Sequence, residues 1–216
     1  LYPAVVTLHL LGALVLLALL VLQHESFRAR PLALPQLAHA PRRVALVLAV
    51  VVLQIALGGW VSTNYAVLAC TEFPTCQGSW WPQMDFEHGF EIWRPLGLMQ
   101  DGSHISFQGL TAIHFVHRLM AFATLVLLSV LAWRLCTVAA WRQHGRWLAG
   151  LLALQLATGL SNVVLGWPLL AAVLHTGGAG ALAIVLVRLL VATHTNPTPL
   201  PTPAVPGGVN PSGLRA

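Results

Sequence analysis

Residues 109–134 read GLTAIHFVHRLMAFATLVLLSVLAWR, a run whose charges before the closing Arg134 amount to Arg118 alone. It is continuous in Leu, Ala and Val, without the alternation of a barrel strand, and longer than the roughly 20 residues that carry a helix across the hydrocarbon of a bilayer. A membrane-spanning helix follows, with two histidines inside it. Working outward, four more stretches have the same character, at roughly 3–22, 44–64, 147–167 and 169–193. Over its 216 residues the chain is 57% hydrophobic and 8% charged, where a soluble domain carries about 25% charged residues. The expected fold is all-α, a polytopic membrane helical bundle of about five transmembrane helices.

The net charge of +5 does not point to nucleic acid, because of where the charges lie. Arg28, Arg30, Arg42 and Arg43 fall in the first connection, 23–43, and Arg134, Arg142 and Arg146 in the third. Arg188 sits near the end of the last span. The second connection, 65–108, holds Glu72, Asp85, Glu87, Glu91 and Asp101, five of the six acidic residues. The positive-inside rule then sets the first and third connections and the C-terminus in the cytoplasm and loop 65–108 outside. A multi-pass protein of the cell inner (plasma) membrane is expected. Residues 194–216, with five prolines between Pro197 and Pro206, read as a disordered cytoplasmic tail. The chain starts at Leu1 within an apolar stretch, without a signal peptide, and is expected to be truncated at its N-terminus.

Two short internal matches bear on that expectation. The first and last spans share L-H-x-x-G-A, at Leu8–Ala13 and Leu174–Ala179, and the second and fourth share L-Q-[IL]-A-x-G, at Leu53–Gly58 and Leu154–Gly159. A repeat unit of four helices follows from the first match. Residues 1–22 would be the last helix of one unit and 44–193 a complete second unit. The second match says only that alternate helices are built alike.

Histidine within a membrane helix is costly unless paired or bound, so each one is a functional candidate. His9, His117 and His175 lie about six to eight residues in from the outer ends of three helices that run the same way. At 1.5 Å per residue that is about one level in the membrane. Neutral imidazole is a common ligand of metals and of heme iron. Two histidines on facing helices suit bis-His ligation in a bundle core, and His117 with His175 is the natural pair. His9 would be half of a second pair. Gly177, Gly178 and Gly180 would let a flat macrocycle or a neighbouring helix approach. His114, a turn from His117, could orient a ligand, shuttle protons or meet a heme carboxylate. Arg118 could pair with a propionate or snorkel to the interface. His24, His39, His144 and His194 need no role, and His88 and His104 read as solvated.

Cys70 and Cys76 lie in the outer loop, on the side where disulfides persist. A loop staple, a redox-active pair and a zinc site with His88 are all compatible with their positions. Cys136 reads as an ordinary buried thiol. Trp80, Trp81, Trp93, Phe86 and Phe90 suggest that the loop folds back over the helix ends as a lid.

Taken together, Gly58–Tyr65 (GGWVSTNY), Ala69–Pro82 (ACTEFPTCQGSWWP), Ala112–Arg118 (AIHFVHR) and Leu174-His175 resemble the heme A synthase family, over residues 1 to about 193. That resemblance implies eight helices in two homologous halves, and a membrane oxidoreductase that oxidises the C8 methyl of heme O to a formyl group for terminal oxidases. It implies heme b as cofactor between His117 and His175, with His114 and Arg118 beside it. It also implies a substrate heme held in part by His9, and Cys70 paired with Cys76. Heme O, membrane lipid, heme O synthase with other oxidase-assembly proteins, and a homo-oligomer are the implied partners, with no nucleic acid. One departure matters: the family's first half carries E-x-x-H-R, and the matching position of the second half is His114 here. Rival readings from the residues are a diheme b-type electron carrier and a thiol–quinone oxidoreductase using Cys70 and Cys76.

Overall fold

The computed structural model describes residues 1–28 and 40–194. Most of the tail expected over 194–216, and residues 29–39 of the first connection, lie outside it. Six α-helices follow in order: α1 (Pro3–Ser26), α2 (Ala40–Thr63), α3 (Phe86–Phe90), α4 (Phe107–Cys136), α5 (Arg142–Val164) and α6 (Leu169–His194). There is no strand among the described residues. All but α3 are long and apolar enough to cross a membrane, as the sequence predicts.

The bounds of α5 differ most from expectation, beginning and ending earlier than 147–167. Arg142 and Arg146 form its first turns rather than part of a connection. Gly145 makes this possible: a Cβ there would stand 2.8 Å from Ala132 O and 2.7 Å from Cys136 Sγ, so α5 starts in direct contact with the end of α4. Cys136 is accordingly half-buried, not enclosed. At the far end the Trp167 N–H bonds Asn162 O at 3.0 Å, with Gly166 at φ +69 and Trp167 at φ +64. This left-handed reversal is the usual close of a helix, and it stops α5 while the sequence is still apolar.

Helices α2, α4, α5 and α6 form a four-cornered bundle. Neighbours around the ring are α2–α4, α4–α5, α5–α6 and α6–α2, so α4 and α6 stand on one diagonal, α2 and α5 on the other. Away from the long loop the centre is filled by Val44, Val47, Val51, Leu128, Leu135, Leu148, Leu182, Leu186 and Leu189. Lipid is as apolar as these side chains, so close packing rather than escape from water holds the helices together. Outward-facing Leu8, Leu16, Leu19, Phe122, Val126, Val130, Leu156 and Val173 are exposed, as a lipid-facing surface requires. Helix α1 packs on α2 and α6 from outside the ring, and only 6% of its span is buried.

Loop 65–108 folds over one end of the bundle. Asp85 caps α3 by accepting from the His88 N–H at 3.0 Å, and Ser106 caps α4 by accepting from the Gly109 N–H at 3.1 Å. Arg94 is fully buried beneath it. It donates to Asn64 Oδ1 at 2.8 Å and lies 5.9 Å from the centre of the Trp60 ring, while Trp60 Nε1 donates to Gly89 O at 3.0 Å. These ties carry the lid, with Trp80, Trp81 and Trp93 left exposed on its surface.

Candidate functional site

On the α4–α6 diagonal, His117 and His175 are each part-buried and lie within electrostatic range of one another. Each ring rests on a glycine of the adjacent corner. A Cβ on Gly58 of α2 would approach His117 Cε1 to 3.1 Å, and a Cβ on Gly159 of α5 would approach His175 Cε1 to the same 3.1 Å. One turn before each glycine stands a glutamine. Gln54 Nε2 donates to His117 O at 3.3 Å and Gln155 Nε2 to His175 O at 2.9 Å. The L-Q-[IL]-A-x-G match therefore has a structural meaning: it is a twice-used seat, with Gly for the imidazole and Gln for the backbone behind it. A Cβ on Gly178 would run into Gln155 Nε2, so the glycine three residues after His175 makes room for that glutamine.

A hydrogen bond also sets the proton of the His175 ring. Thr158 Oγ1 donates to Leu154 O at 2.7 Å and lies 2.9 Å from His175 Nδ1. Its one hydrogen is committed to the carbonyl, so it accepts from Nδ1–H and leaves Nε2 with a free lone pair. Gln54 Nε2 lies 3.1 Å from His117 Nδ1 and 3.4 Å from its Nε2, and Gln54 Oε1 is buried without a partner. A histidine on each of two diagonal helices, two glycine seats and the fixed tautomer of His175 fit a metal-centred planar group at the bundle axis.

His114 and Arg118 are engaged with one another and with the outer loop. His114 is 3% exposed, and its Nε2 accepts from Arg118 Nε at 3.4 Å. The Arg118 guanidinium donates to three carbonyls, Cys70 at 2.9 Å, Glu72 at 2.8 Å and Thr75 at 3.0 Å. These belong to the ring closed by the Cys70–Cys76 disulfide, whose Cα atoms are 4.9 Å apart. Arg118 thus ties that ring to α4 instead of snorkelling. The Glu72 carboxylate accepts from the Gly78 N–H and from Thr75 Oγ1, which hold it below its ordinary pKa. With both thiols in the disulfide and His88 bonded to Ser106 and paired with Asp85, a zinc site there is excluded. No cluster of three metal-ligating side chains occurs among the described residues.

His9 is exposed on α1, away from the axis. His104 is exposed as expected, whereas His88 is half-buried. His144 is part-buried beside Trp141, its Nδ1 without a partner. Sequence reasoning missed Thr158, Gln54 and Gln155 as partners of histidines, although the repeat marked two of them. It also missed Glu25, the acidic residue outside the long loop, which pairs with Arg28 at 3.1 Å and Arg188 at 2.9 Å.

Fold and site define a polytopic membrane protein with a histidine pair set across a four-helix core. The chain belongs to the COX15-CtaA family of cytochrome oxidase assembly proteins, which it matches over residues 1–187. It is 38% identical over 193 residues to the heme A synthase of Shewanella oneidensis (strain MR-1), covering 88% of this chain and 58% of that relative. The chain thus spans somewhat under two thirds of the relative's length. No solved structure matches the chain.

Proposed function

We propose that the chain carries the cofactor-binding half of a heme A synthase, in which His117 and His175 ligate a heme b across the bundle axis. The observation that carries this is the diagonal histidine pair on matched glycine seats, joined to the likeness to a protein named heme A synthase. Residues 44–193 form the heme-binding repeat, and residues 1–22 belong to the substrate-binding repeat. His9 would serve the substrate heme from its exposed face of α1. Heme O is the substrate, and its C8 methyl becomes a formyl group. That change releases four electrons and four protons and takes oxygen at the level of water, so an electron acceptor must be within reach. The bound heme b would supply one-electron chemistry. The chain's own residues hold and orient it: Gly58 and Gly159 admit the imidazoles, and Arg118 ties the disulfide ring to the helix that bears His117. Loop 65–108 lies outside and the C-terminus in the cytoplasm, as the arginine distribution requires.

The test is to purify the chain in detergent, add heme b, and record oxidised and reduced spectra. The expected result is sharp low-spin bands at near one heme per chain, lost in His117→Ala and in His175→Ala. Stoichiometric binding indifferent to both substitutions would remove the site. Joined to the remaining length of the Shewanella oneidensis relative and supplied with heme O, the chain should then yield formyl-bearing heme on extraction. Its absence beside intact binding would favour the electron-carrier reading.

A further inference from the structure

The two histidine seats differ in one respect that bears on ligand chemistry. At the corresponding place one residue before each seat glycine, α5 has Thr158 and α2 has Leu57. His175 therefore meets a hydroxyl at Nδ1, whereas His117 meets the amide of Gln54. An imidazole that ligates a metal through Nε2 must keep its proton on Nδ1, and an acceptor at Nδ1 fixes both the tautomer and the ring plane. Thr158 already does this, because its own hydrogen is spent on Leu154 O.

The Gln54 amide does not select one nitrogen in this way: its Nε2 donates to His117 O and lies 3.1 Å from Nδ1 and 3.4 Å from Nε2 of the His117 ring. The second seat therefore holds the ring, and the first also fixes its proton.

We propose that Thr158 is a positioning residue for His175, accepting the Nδ1 proton and so aiming Nε2 at the metal. Its hydroxyl is taken up by the imidazole and by Leu154 O, so it acts through the ring. The inference rests on the heme reading above. Losing an acceptor at this place weakens electron donation by the imidazole, which disfavours ferric over ferrous iron. Partners of this kind are typically worth ten- to a hundredfold in metal affinity.

The test uses the heme b-loaded chain and two variants. Thr158→Val has nearly the shape of threonine and keeps the helix, and Thr158→Ser restores the hydroxyl. Thr158→Val should release heme at least about tenfold more readily and raise the heme midpoint potential, with altered low-spin EPR g-values, and Thr158→Ser should return all three to the original. Unchanged affinity, potential and g-values in Thr158→Val would overturn the proposal while leaving the ligands in place. Heme binding that survives His175→Ala would instead overturn the underlying site, so the two failures are told apart.

Discussion

Gly159 is a place where one methyl group decides what its neighbour can do. A Cβ would sit 3.1 Å from His175 Cε1, tight but open to small adjustment, whereas a branched side chain would occupy the ring's own volume. Gly159→Val is therefore expected to push His175 off the axis and cut heme per chain by at least half, measured as pyridine hemochrome on purified protein. Overpacking of this kind costs about 1–3 kcal/mol in stability. Full heme loading in the variant would show that the ring does not need this seat. The glycines and glutamines of the repeat were visible in the sequence, but not what they hold, because a repeat says that two helices are alike and not which side chain each receives. Thr158 carried no signal at all: a threonine in an apolar helix reads as one that bonds its own preceding turn, which it also does.

Among the elements, the five long helices were legible because lipid imposes a continuous apolar run that water-soluble folds do not need. The five-residue α3 was not, since its stability comes from the Asp85 cap and from packing on α4. Nor was the part played by Arg118 in joining α4 to the loop. Its three acceptors are backbone carbonyls, which leave no mark in a sequence. Arg118→Ala would strand them, at about 1–3 kcal/mol for such a loss, and expose the fully buried Cys70 and Cys76. The disulfide should then be reduced by a phosphine about tenfold faster in the folded protein. Lysine, with a point charge in place of a planar fork, should recover only part of the protection. An unchanged rate in Arg118→Ala would mean that other ties hold the ring. Acid acts on the same ring through Glu72. Its pKa is lowered in the folded state from 4.5 by the Gly78 N–H and the Thr75 hydroxyl, so its stabilising effect is full above the unfolded value and lost as pH falls through the lowered one. The reduction rate should show no loosening of the loop between pH 8 and 5, and an acceleration only below about pH 4. Glu72→Gln should abolish that acceleration; if the acid limb persists in it, another group is responsible.

At the scale of the whole molecule, α1 stands apart from the four-helix ring yet is fastened to the rest near both ends. Toward the loop, the Leu96 N–H bonds Leu1 O at 2.8 Å, and Thr7 and Thr63 hydroxyls meet at 3.3 Å. At the other end Glu25, its side chain 4% exposed, pairs with Arg188 of α6 at 2.9 Å and with Arg28 at 3.1 Å. With so little of α1 buried, these polar ties weigh more than they would on a well-packed helix. Glu25→Ala leaves Arg188 facing no carboxylate. Breaking a fully buried pair costs about 3–5 kcal/mol, and the partial exposure of Arg188 brings the expectation down to about 1–2 kcal/mol. The thermal midpoint in detergent should fall by several degrees, and Glu25→Asp should restore part of it. The heme spectrum should not move, because His117, His175 and their seats all lie within α2, α4, α5 and α6. A stability loss without spectral change would mark 44–193 as a unit to which α1 is attached. A spectral shift accompanying the loss would mean that α1 helps to set the diagonal between the histidines, and that the helix bearing His9 and the four-helix ring are coupled through the Glu25–Arg188 contact.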